Sequence, residues 1–148
     1  MIADVESLPS SRGFIAMLEA YRPTGGLAPG NFLLQSLQDH QRGDLSKLAR
    51  LIGDRRIFVI DWRGESWIPM FQFSGDDLAC KPGPALVRAE LKALSSGWDI
   101  AAWFAQPNAL LDGCRPVNVM ASDLASVLDA ARCHAPAMEA WQREAAHA

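Results

Sequence analysis

The sequence predicts an α+β protein, mainly helical, with one β-hairpin packed on helices. Three observations predict it. Apolar residues recur at helical spacing over most of the chain. One stretch, 56–73, switches to β-branched and aromatic runs around a short turn. Proline and glycine punctuate the changes of period. The 148 residues are the usual length of one domain, and 49% hydrophobic content is enough for a real core.

After a polar lead, Ser10 or Ser11 caps a helix with Phe14, Met17, Leu18 and Tyr21 in one stripe, and Pro23 stops it. Residues 23–30, rich in Pro and Gly, read as a loop and the best hinge. Asn31 caps a second helix with Phe32, Leu33, Leu34 and Leu37 inward, and 41–43 breaks it. Asp44 caps a third, with Leu45, Leu48, Ala49, Leu51 and Ile52 apolar, and Gly53 stands at its C′ position. Strands 56–62 and 67–73 follow, joined by a turn at 63–66. Pro69 has no amide proton, which places it on an edge or at a bulge.

After a turn at 74–77 the chain reads as helical. Pro84 suits the first turn of a helix carrying Leu86, Val87, Leu91 and Leu94, and 95–97 ends it. Trp98, Ile100, Ala101, Trp103 and Phe104 form a short apolar helix closed by Pro107. A loop spans 108–115, and Pro116 starts one further turn. Ser122 caps a helix with Leu124, Val127, Leu128 and Ala131 on one face. A last helix, 137–147, carries Met138 and Trp141 on an alanine-rich face. The chain divides into an N-terminal helical region, 1–55, and a hairpin-plus-helix region, 56–148.

Composition narrows the function. Net charge is −3, and residues 1–70 balance eight basic against eight acidic side chains, so no region has a strong basic excess. Cys80, Cys114 and Cys133 are odd in number and lack metal-ligand spacing. The N-terminus has no signal-peptide pattern and no apolar run reaches ~18 residues, which predicts a cytoplasmic protein without a membrane partner. His40, His134 and His147 form no i,i+4 pair, and the nucleophile-elbow, zinc-protease and phosphate-loop patterns are absent. No metal or cofactor is expected, and the chain does not read as an enzyme.

The segment 98–117 is unusual: an apolar helix, a Pro107-Asn108 exit, a short loop, and Gly113-Cys114-Arg115-Pro116 entering the next turn. With Trp103, Leu110 and the following 122–132 helix, it resembles the toxin-binding domain of Xre-, MbcA- and ParS-type antitoxins. The hairpin resembles that family's strand pair through Pro69-Met70-Phe71-Gln72-Phe73, and Pro82-Gly83-Pro84 follows in the expected order. The match covers about residues 56–133. It implies a protein that binds and neutralises a partner toxin, typically of the RES-type, NAD-degrading class, and a homo-oligomer such as a dimer. The partner-binding candidates are Asn108, Asp112, Arg115, Arg132 and Trp141. Family members often carry a DNA-binding helix-turn-helix. Here 31–53 is the candidate, with the hairpin as wing and Arg42, Lys47, Arg50, Arg55, Arg56 and Arg63 facing the phosphates of operator DNA. A winged-helix transcriptional regulator is thus the alternative function.

Overall fold

A computed structural model describes residues 10–75 and 78–133. The expected α+β, mainly helical architecture is observed. Helix α1 (Ser11–Tyr21) leads into strand β1 (Leu27–Pro29), then α2 (Gly30–Asp39) and α3 (Leu45–Gly53). Strands β2 (Ile60–Trp62) and β3 (Glu65–Pro69) follow, then α4 (Pro82–Glu90), α5 (Gly97–Ala105), α6 (Pro116–Val119) and α7 (124–133). Single 3-10 turns lie at Arg22–Thr24, Met70–Gln72 and Ala109–Leu111.

The hairpin gains a third strand. The segment read as a hinge contains β1, which pairs antiparallel with β3, so the order is β1-β3-β2. Pro69 therefore ends the central strand instead of lying on an edge. It tolerates that place because β2 pairing stops at Ile60 opposite Trp67. The strands are shorter than expected, and their turn is only Arg63-Gly64. Both turn residues have positive φ, 52° and 78°, the geometry whose twist matches a two-residue hairpin.

Gln72 explains why the hairpin stops there. In a two-residue hairpin the flanking pair, Trp62 and Glu65, exchanges hydrogen bonds, and such pairs recur at every second residue. Continued, the register would set Phe58 opposite Pro69, which has no proton to donate. The side-chain amide of Gln72, fully buried, lies between them instead. Phe58 N donates to Gln72 Oε1 at 2.8 Å, and Gln72 Nε2 donates to Phe58 O at 3.0 Å and Pro69 O at 2.9 Å. One side chain thus replaces a stretch of backbone ladder.

Successive residues on either side of the sheet enter two hydrophobic clusters. Phe58, Ile60 and Phe71 join Met17, Tyr21, Ile100, Phe104 and Val127. Ile57, Ile68 and Phe73 join Leu33, Leu37, Leu48 and Leu51. Both clusters draw on residues from each side of position 55, so the two sequence regions share their cores. Tyr21 crosses from α1 to donate to Ala101 O of α5 at 2.7 Å, and burial pushes its phenol pKa well up. At Gly97, the first residue of α5, a β-carbon would overlap the carbonyl oxygen of Val59. A glycine there lets α5 touch the extended segment just before β2.

Helix ends correct several expectations. Pro29, not Asn31, precedes α2, and only Leu33 and Leu37 of its apolar residues are fully inward, while Phe32 is 60% exposed. Asp44 does cap α3, accepting from Lys47 N. Leu45, Ala49 and Ile52 lie on the solvent side of that helix, because Leu48 and Leu51 set the buried face. Gly53 is its last helical residue, and the left-handed position is taken by Arg55 (φ 59°), with Arg56 N donating to Leu51 O. Pro82 opens α4 with Pro84 in its first turn, as expected, and Ser96 caps α5. Asp123, not Ser122, caps α7, receiving two hydrogen bonds from Ser126 that hold its carboxyl pKa below the usual range. The expected 137–147 helix and the 76–77 end of the turn lie outside the described residues.

Replacing Gln72 by Leu would leave the Phe58 N–H and the carbonyls of Phe58 and Pro69 buried without partners, each at about 1–3 kcal/mol. Urea denaturation of Gln72→Leu is expected to show a loss of about 3 kcal/mol or more; a loss below ~1 kcal/mol would contradict this role.

Candidate functional site

The 107–116 segment folds as one closed surface loop. Asn108 starts it: its side-chain oxygen accepts from Leu110 N at 2.9 Å, and its carbonyl accepts from Leu111 N and Gly113 N. Asn108 N donates back to Cys114 O at 3.0 Å, which ties the loop's two ends together. Between them, Asp112 (φ 57°) and Gly113 (φ 80°) turn the chain through the left-handed region. Gly suits that region; Asp is among the few other residues that enter it readily. Pro116 is pre-set for the first turn of α6. Leu111 is buried and anchors the loop, whereas Leu110 is 62% exposed at its tip.

The candidate residues divide. Asn108 is half-buried and committed to loop closure. Asp112 is exposed and Arg115 half-buried, and neither side chain makes a hydrogen bond or ion pair among the described residues. Arg115 borders a recess of about 430 Å³ between α1 and α5, beside Gly13, Trp98 and Pro107. Arg132 is not brought to this loop. Its guanidinium is paired with Glu90 of α4 at 3.4 Å and with Asp129 at 3.1 Å. Trp141 lies outside the described residues. Trp103 is core, edge-on to Phe104.

Directly after the loop, Val117 and Met120 line a larger, mainly apolar groove of about 730 Å³. Its other walls are Leu27 and Pro29 of β1, Phe32 of α2, Met70, Phe71 and Phe73 after β3, and Leu124 of α7. Lys81 is the cation on its border. Sequence reasoning missed this groove. Its one local signal is Phe32, which falls about 100° off the Leu33–Leu37 face of an ideal helix. The rest depends on β1 pairing with β3.

The cationic candidates are all exposed but do not form one face. Arg42, Lys47 and Arg56 border a small recess beside Cys80. Burial pushes the Cys80 thiol pKa up, and Arg56 and Lys47 pull only part of it back, so the thiol is not activated. Arg55 lines a different recess, and Arg50, in the last turn of α3, lines neither. Arg63 does not project from a wing: it stacks on Trp62 at 4.5 Å and donates to Ser11 Oγ at 2.8 Å. Phe14 stacks on the same indole with ring centroids 4.1 Å apart, so the hairpin tip is bound to α1. Among the described residues no three His, Cys, Asp or Glu side chains gather to hold a metal, and no helix is long and apolar enough to cross a membrane.

No family model, curated protein or solved structure matches this chain.

Asp112 occupies a backbone conformation that glycine adopts without strain. Asp112→Gly is expected to raise stability by roughly 0.5–1 kcal/mol in thermal unfolding; a fall would show that the carboxylate supports the loop.

Proposed function

We propose that this chain binds and neutralises a partner protein toxin, of the NAD-degrading RES type that the 56–133 resemblance implies. One observation carries the reading. The residues of the Pro107–Pro116 motif fold into a single rigid loop whose charged side chains, Asp112 and Arg115, are left unengaged at the surface. A loop held by its own backbone bonds loses little entropy on binding, and unpaired polar groups on such a loop are what a partner reads. The mechanism is steric: the loop and the α6–α7 region cover the toxin's cleft and exclude its substrate.

The test is co-expression of the full chain with small proteins encoded beside its own gene, with cellular NAD as the readout. NAD is expected to stay at control level with the full chain, and to fall with the double variant Asp112→Lys, Arg115→Glu. If NAD falls equally with and without the chain, or no neighbouring protein depletes it, the reading is wrong.

A second reading, DNA binding by the α2–α3 unit, is favoured by the clustering of Arg42, Lys47 and Arg56 around one recess on that unit. It predicts affinity for duplex DNA that falls steeply with salt and weakens in Lys47→Ala. Binding without a salt slope would exclude phosphate contacts.

A further inference from the structure

A second cationic feature lies where α3 ends against α4. A recess of about 610 Å³ is lined by Arg55 and Arg56 after α3, by Arg88 in the last turn of α4, and by Lys92 beyond it. Asp54 is the one carboxylate among its described lining residues. Two helix C-termini converge there, each contributing roughly half a negative charge. Together with Asp54 they offset about half of the four cations, which leaves an excess near two positive charges. The chain as a whole is acidic, so this excess is local.

The arrangement is held against two energetic costs. Arg55 adopts left-handed backbone geometry, which disfavours a residue with a β-carbon by about 1–2 kcal/mol, at a helix-ending position where glycine is the usual choice. Arg88 is half-buried, its Nη1 donating to Ile57 O at 3.2 Å. Burial and the adjacent Arg55 guanidinium both push its pKa down. Neither guanidinium is ion-paired to a carboxylate among the described residues.

We propose that this recess binds a small phosphate-bearing anion, a diphosphate or triphosphate, free or as the tail of a nucleotide. Guanidinium forks match phosphate oxygens two at a time, and a multiply charged anion supplies the balance that a single carboxylate cannot. The apolar flank at Ala85, Leu86 and Ala89 offers a surface for an attached organic group. The inference is independent of the partner-binding loop.

The experiment titrates the full chain with inorganic pyrophosphate, following thermal unfolding and heat of binding, against sodium chloride of equal ionic strength. A saturable single site and a melting temperature raised above the salt control are expected. Arg55→Gly removes one cation and relieves the left-handed strain, so it should fold at least as stably while binding pyrophosphate about tenfold more weakly, a factor worth about 1.4 kcal/mol. Tighter binding of ADP than pyrophosphate would identify a nucleotide tail, and equal affinity a free phosphate. The proposal is overturned if pyrophosphate acts no differently from sodium chloride, if citrate binds as well, if Arg55→Gly retains full affinity, or if duplex DNA binds and pyrophosphate does not compete.

Discussion

The fold turns on one buried amide. Gln72 stands where the β2–β3 ladder would need a proton from Pro69 and cannot obtain one. Its side chain satisfies both backbone groups of Phe58 and also the carbonyl of Pro69. Its own carbonyl accepts from Lys81 N at 2.8 Å, just ahead of α4. The neighbours on either side are sent to opposite clusters, Phe71 with α1 and α5, Phe73 with α2 and α3. A single fully buried polar residue thereby joins the sheet, the start of α4 and both cores. Buried polar groups that are fully bonded specify one arrangement, because any other leaves costly unpaired atoms.

From this constraint the apolar groove and the cationic recess acquire their shape. The turn at 70–72 brings Met70, Phe71 and Phe73 to the wall of the apolar groove, opposite Val117, Met120 and Leu124. The start of α4 at Pro82 fixes the direction of that helix, and with it the approach of Arg88 to the end of α3. The 107–116 loop depends less on tertiary structure. Asn108 and the left-handed pair Asp112-Gly113 close it locally, and buried Leu111 anchors it. That local closure is why a contiguous sequence motif becomes a contiguous surface.

Much of this was legible in the sequence where the signal is local. The caps at Ser10 and Asp44, the presence of a hairpin turn after Trp62 and the loop before Pro116 each depend on residues within a few positions of one another. What was not legible depends on distant partners. Strand β1 is three residues among prolines and glycines, and becomes a strand only by pairing with β3 some forty residues later. Arg132 looked free on a helix face, yet Glu90 of another helix binds it. Arg63 suited a wing until Trp62, Ser11 and Phe14 are seen to hold the hairpin tip on α1. Arg55 takes the left-handed place that a glycine usually holds, so Gly53 marks the end of α3 without being its C′ residue.

Hydrogen exchange at the Phe58 amide tests the central claim most directly. That amide lies outside every strand, in a segment that local rules would treat as a loop. If Gln72 holds it as a ladder would, it exchanges only on global unfolding, at a rate matching the amides of Leu33 and Ile100 in the two cores. Exchange at the rate of an open loop, with those core amides still protected, would show that the wedge does not hold and that the sheet and α4 are joined by something else.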